Sequence, residues 1–222
     1  MNLNIDSKKD FIIFDHDDTL YKELDYLKSA YSHISNLLIP DLKKNIYREM
    51  IEWYLNKQST FDKIKEKYRC NMTIPQMVYE YRYHIPTLRL DDSTRTILDD
   101  LKNASVKIGI ITDGRSKSQR NKLKSLGIEK MFDLILISEE FGSEKPTESN
   151  FNFFSEKFKT HNFIYIGDNY KKDFISPNKL GWITIGILDD GRNIHKQDMS
   201  LPNKYHPQHL VKSFQDINLI FS

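Results

Sequence analysis

The sequence predicts an α/β chain in which a doubly wound parallel sheet carries a small all-helical insert. Three observations predict it. All eight glycines lie at Gly109 or later, so residues 1 to 108, which hold none, and the remainder differ in architecture. From about residue 20 to residue 86, apolar residues recur at helical spacing: Leu20, Leu24, Leu27, Tyr31, Ile34 and Leu38, then Leu42, Ile46, Met50 and Trp53. Outside that stretch, short apolar runs ended by polar or glycine-rich turns alternate with amphipathic segments, which is the pattern of parallel strands buried on both faces.

Taken in order, residues 11–14 form the first strand and residues 20–86 the insert, with Pro40, Pro75 and Pro86 near its helix boundaries. A helix over 94–101 leads to a strand over 106–111. The next helix, 117–126, is closed by Gly127 and followed by a strand over 132–137. A helix over 151–158 presents Phe151, Phe154 and Phe158 on one stripe, and strands over 163–166 and 182–188 complete the sheet. After Asp189, the residues Asn193, Pro202, Asn203 and Pro207 predict a surface excursion, then a last short strand or helix near 209–220. Two domains follow: a core of residues 1–19 and 87–222, and the helical insert, 20–86.

Composition bounds the function. A charged fraction of 29% against 39% hydrophobic is that of an ordinary soluble protein, and no apolar run reaches the length of a membrane span. The first ten residues lack a secretory signal's apolar centre, which predicts a cytoplasmic location. Cys70 stands alone, which excludes an internal disulfide and a multi-thiolate zinc site. With a net charge of +2 spread along the chain there is no electrostatic footprint for nucleic acid.

In a doubly wound sheet, ligands bind beyond the carboxyl ends of the strands. The first strand runs into Asp15-His16-Asp17-Asp18-Thr19, the second into Thr112-Asp113-Gly114; Lys145-Pro146 follows the third, and Gly167-Asp168 ends the fourth with Asp173 five residues on. Carboxylates so crowded repel one another, and their hard oxygens ask for magnesium rather than zinc.

These four segments, in this order, resemble the motifs of the haloacid dehalogenase superfamily, and the resemblance spans nearly the whole chain. It implies a Rossmann-like core and a helical cap inserted between the first two motifs. It implies Asp15 as nucleophile, Asp17 as general acid and base, Thr112 and Lys145 as phosphate-holding groups, and the backbone around Asp113 and Gly114 as further phosphate contacts. It also implies Mg²⁺ held by Asp15, the Asp17 carbonyl and Asp168, with Asp173 orienting a metal-bound water. The activity implied is hydrolysis of a small phosphate monoester through an aspartyl phosphate, the partner being a phosphorylated metabolite such as a sugar phosphate, a nucleotide or a phosphoglycolate-like acid. A phosphomutase of the β-phosphoglucomutase type shares all four motifs. A receiver-like phospho-acceptor domain places its Asp after the third strand, where this chain has Ser138. His16 and Asp113 depart from the family's usual residues without removing a catalytic group. Asp18 is expected to brace its loop. In the insert, Val78, Tyr81 and Ile85 form one stripe, leaving Tyr79, Arg82 and Tyr83 to face the cleft and contact substrate. The protein is expected to be a monomer or homodimer.

Overall fold

A computed structural model describes residues 1–39 and 42–222; Pro40 lies outside the described residues. Six parallel strands form the main sheet in the order β4-β3-β2-β5-β6-β7: β2 (Asp10–Phe14), β3 (Lys107–Thr112), β4 (Leu134–Ile137), β5 (Asn162–Gly167), β6 (Ile183–Ile187) and β7 (His209–Val211). The doubly wound sheet is therefore present, with the strand that leads into Asp15 near its centre.

Side-chain alternation along β2 explains how both faces fill. Ile12 and Phe14 join Ile108, Ile110, Ile164 and Ile166 against the helix α5 (Asp92–Asn103) and α6 (Ser116–Ser125). Phe11 and Ile13 point the other way, with Ile111 and Tyr165, onto Phe151 and Phe154 of α8 (Glu148–Lys157). Gly109 sits where α8 comes closest: a Cβ there would lie 2.7 Å from a ring carbon of Phe154. Gly109→Ala is thus expected to overpack this face and lower the melting temperature, at a cost of about 1–3 kcal/mol.

Between β2 and α5 the described residues form four α-helices: α1 (Glu23–Leu38), α2 (Lys43–Leu55), α3 (Thr60–Lys67) and α4 (Ile74–Tyr83). Their apolar stripes bury Leu27, Tyr31, Ile34, Ile46, Met50, Ile64 and Met77 together in a cluster separate from those of the sheet. Thr73 and Gln76 close a capping box at the start of α4, with Pro75 in its first turn. The insert is tied to α6 by a hydrogen bond between the Tyr26 and Ser118 hydroxyls, and by others from Asn121 to the Tyr83 and His84 carbonyls and from Ser125 to the Pro86 carbonyl.

Three expectations need correction. The stripe of Val78, Tyr81 and Ile85 does not run through α4, because the helix ends at Tyr83 and leaves Ile85 82% exposed; Met77 and Tyr81 are the inward-packed residues. The N-terminus contributes a strand, β1 (Asn2–Ile5), which pairs in parallel with β8 (Asn218–Phe221) in a two-stranded sheet; Leu3 and Ile5 supply its buried alternation. The excursion after Asp189 does not stay on the surface, since Asn193 is buried against the strand ends. Among the described residues, no helix is long and apolar enough to cross a membrane.

Candidate active site

The ends of β2, β3 and β5 converge on a cavity of about 300 Å³, whose wall includes Asp15, Asp17, Thr112, Lys145 and Asp168. Asp15 follows β2 directly, its N–H donating to the Ile166 carbonyl of β5, so strand pairing fixes its backbone. One carboxylate oxygen accepts from the Lys145 ammonium at 2.6 Å. Burial, relieved by Lys145 but reinforced by Asp173, pushes its carboxyl up to about 7.

Lys145 is fully engaged: its Nζ reaches Asp15 and Asp173, each at 2.6 Å, and donates to the Tyr165 hydroxyl at 3.1 Å. Burial would lower its pKa, but the two carboxylates outweigh burial and keep the ammonium charged. Asp173 is fully buried, and both of its oxygens are occupied. Oδ1 accepts from Lys145 and Tyr165, while Oδ2 accepts the N–H groups of Asp168 and Asn169. It can orient its neighbours more readily than bind an ion itself. Gly167 makes room for it, because a Cβ there would stand 2.6 Å from Asp173 Oδ2. Gly167→Ala is expected to displace Asp173 and cost at least tenfold in turnover, measurable by steady-state kinetics on protein shown to be folded by circular dichroism.

Asp15, Asp168 and Asp173 each offer an oxygen within 4.8 Å of the others, and all three are buried. Burial, then Asp173 and Asp15, pushes the Asp168 carboxyl well above the carboxylate range. Such a set is unstable as bare anions and supplies only hard oxygens, so these residues fit a magnesium-like cation. Asp15 and Asp168 have the capacity to hold it directly.

Asp17 stands apart from that cluster. Its Oδ1 accepts from Lys122 at 2.7 Å and from the Tyr21 hydroxyl, and its Oδ2 accepts from Gln119 at 2.8 Å. Burial raises its pKa, yet Lys122 and these hydrogen bonds overcome burial and hold it well below the usual range. Gln119 also accepts from His16 Nδ1–H; burial drives the imidazole down to about 4, so it is neutral, with Nε2 lacking a partner among the described residues.

Thr112 is buried on the cavity wall, its hydroxyl making only a 3.4 Å contact to the Asp113 carbonyl. Asp113 receives the Lys145 N–H and the Lys172 ammonium. The Gly114 N–H donates to Ser138 Oγ, so it is not free to meet a ligand as the sequence suggested. Asp18 does brace its loop: it has a φ of 58° and accepts the N–H groups of Glu23 and Ile194. The structure does not bring Arg82 to the cavity. It is exposed on the last turn of α4, and Tyr26 takes its carbonyl rather than its side chain facing the wall.

Sequence reasoning missed Lys122, Gln119, Tyr21, Glu23, Tyr165 and Asn193. Asn193 donates to Asp168 at 2.7 Å and accepts from Lys22, inserting the excursion between strand ends and insert. Of these, only Tyr165 had a signal, as a lone hydroxyl in a strand of Phe and Ile. The others are polar residues on segments that read as solvated.

Comparison with known proteins fits this geometry. Residues 12–187 match the haloacid dehalogenase-like hydrolase family. A glyceraldehyde 3-phosphate phosphatase of Methanocaldococcus jannaschii is 32% identical over 192 residues, covering 80% of this chain and 84% of the relative. The pyrophosphatase PpaX of Oceanobacillus iheyensis is 21% identical over 210 residues, covering 93% of this chain and 94% of its own. In fold, the chain superimposes on the magnesium-bound HAD-hydrolase YfnB of Bacillus subtilis with a TM-score of 0.65 at 18% identity, covering 94% of this chain and 96% of that one. With four motif segments at four strand ends and a family match over most of its length, the chain belongs to the haloacid dehalogenase-like hydrolases, on their phosphatase side.

Proposed function

We propose that this protein hydrolyses a small phosphate monoester, of about triose-phosphate size, with Mg²⁺ and through an aspartyl phosphate on Asp15. The observation that carries the reading is the pairing of Asp15 with Lys145 beside the buried Asp168 and Asp173. The phosphatase named for glyceraldehyde 3-phosphate supports the substrate size, and the magnesium-bound structural relative supports the metal. When bound, the cation supplies positive charge to phosphoryl oxygens and to the crowded carboxylates.

An Asp15 oxygen attacks phosphorus, the ester P–O bond breaks, and the leaving oxygen takes a proton from Asp17. Water then attacks phosphorus and gives its proton to Asp17; the Asp15–phosphorus bond breaks, restoring the carboxylate and releasing phosphate. Lys145 and Thr112 hold phosphoryl oxygens, and the insert of residues 20–86 acts as a cap domain over the leaving group.

The Lys122 ion pair favours the Asp17 carboxylate, so Asp17 takes up its first-step proton with the substrate; once that proton has gone to the leaving oxygen, the pair stabilises the carboxylate that accepts water's proton in the second step. Lys122→Met should therefore raise the Asp17 pKa. On an aryl phosphate, whose leaving group needs no proton, the acid limb of kcat should move to higher pH with KM changed less than about threefold. An unmoved limb would disconnect Lys122 from Asp17's chemistry. The overall reading is tested by assaying a panel of phosphomonoesters with Mg²⁺; no turnover on any of them would refute it.

A further inference from the structure

The phosphate end of the cavity is accounted for by Asp15, Lys145 and Thr112, but the wall beyond Asp17 is not. Glu23 lines the same cavity at the first turn of α1. Its backbone N–H donates to Asp18 at 2.9 Å, so the residue is fixed to the loop that carries Asp15 and Asp17. Its carboxyl is largely withdrawn from water, yet among the described residues no protein group hydrogen-bonds to it. Burial, and then the nearby Asp17, outweigh the pull of Lys122 and push it up to about 8, a value that favours the protonated carboxyl, able both to donate and to accept.

The charge around it is one-sided. Six other carboxyl side chains line the cavity, against two lysines and His195. Both lysines are already paired, Lys145 with Asp15 and Asp173, Lys172 with Asp113. Among the described residues no arginine lines it, and Lys122 is buried behind Asp17, its ammonium 4.4 Å above the Tyr26 ring. A leaving group bearing a carboxylate or a second phosphate would enter this wall with no unpaired lysine or arginine among the described residues to meet it, and at close range in a partly desolvated site that repulsion decides selectivity.

We propose that Glu23 is the specificity residue of the leaving-group subsite, which accepts a neutral hydroxyl-bearing group and rejects one with a second anionic function. The inference rests on the phosphatase reading and names its substrate class: phosphate monoesters of short neutral polyols and hydroxyaldehydes. Glu23 exchanges hydrogen bonds with a hydroxyl of the leaving group, and an unmet donor or acceptor there is costly enough to discriminate. Glu23 is a wall residue and takes no part in bond making.

The test measures kcat/KM with Mg²⁺ for glyceraldehyde 3-phosphate, for 3-phosphoglycerate, which places a carboxylate where the former has an aldehyde, and for phenyl phosphate. Wild type is expected to prefer glyceraldehyde 3-phosphate to 3-phosphoglycerate by at least about thirtyfold. Glu23→Ala should lose about tenfold on glyceraldehyde 3-phosphate, chiefly in KM, while phenyl phosphate stays within about threefold and so reports an intact fold and chemistry. Glu23→Lys should narrow or invert the preference. Equal wild-type rates on the two triose-sized esters, or a ratio unchanged in both variants, would overturn the proposal while activity on phenyl phosphate left the phosphatase reading standing. Absence of turnover on all three would overturn both.

Discussion

Asp15→Asn is expected to hydrolyse every phosphate monoester at least ~10³-fold more slowly than wild type while remaining folded. The amide is nearly isosteric and keeps an oxygen for the Lys145 ammonium, which also retains Asp173 and Tyr165. The buried ammonium is therefore not stranded, and the melting temperature should shift by a few degrees at most. What is lost is the anionic oxygen that attacks phosphorus. Asp17→Asn should differ in kind: the amide neither gives the leaving oxygen a proton nor accepts one from water, but with an aryl phosphate only the second loss matters, so turnover stalls after Asp15 has been phosphorylated. Acid-quenched protein exposed to labelled substrate would then carry label in Asp17→Asn and none in Asp15→Asn. Near-normal turnover by Asp15→Asn would end the covalent mechanism.

The second large effect concerns magnesium, in activity and in stability. Excess chelator should abolish turnover and Mg²⁺ restore it, whereas Ca²⁺, with looser and higher coordination, should inhibit. The stability effect has a definite sign in pH. Without a cation, the folded protein holds Asp15 up to about 7, burial being the main cause, and Asp168 well above its ordinary value. A group whose folded pKa lies above its unfolded value supports the fold fully below the unfolded pKa and withdraws that support as pH rises through the folded one. Metal-free protein should therefore melt progressively lower between pH 5.5 and pH 8. Cation binding needs the ionised carboxylates, so the Mg²⁺-induced rise in melting temperature should be larger at pH 8 than at pH 5.5. At a concentration about a hundredfold above Kd, the gain is about 2.7 kcal/mol. For a chain of this size that is about 5–10 °C. Differential scanning fluorimetry at the two pH values reads it directly; a Mg²⁺ shift that is absent, or larger at pH 5.5, would remove Asp15 and Asp168 from the metal site.

The sequence alone determined the sheet and the edge where chemistry sits, because both are written in short-range patterns. Short apolar runs such as Ile12–Phe14, ended by polar turns and alternating with amphipathic segments, read as parallel strands buried on both faces, and the side chains that follow them emerge at the carboxyl edge. Asp15, Thr112, Lys145 and Asp168 were legible for that reason. The four helices of the insert, α1 to α4, were legible from their 3.6-residue period, although the end of α4 was not: nothing local showed that the helix stops before Ile85.

The tertiary structure decided everything that depends on partners distant in sequence. Lys122 and Gln119 lie on a helix whose buried face is polar, which reads as solvated until Asp17, more than a hundred residues earlier, is seen to occupy it. Asn193 looked like part of a surface excursion and is buried because Asp168 needs a donor. Arg82 looked like a cleft cation and is exposed, because the turn of α4 that carries it is held to Tyr26 by its carbonyl. Glu23 is acidic at a helix start, where a carboxylate is unremarkable by sequence, and only the folded cavity wall gives its side chain an unmet hydrogen-bonding capacity. Periodicity reports which face of an element is apolar. Where polar side chains are buried against one another, the energy lies in pairings that no local pattern encodes, and those pairings set the charge of Asp15, Asp17 and Glu23.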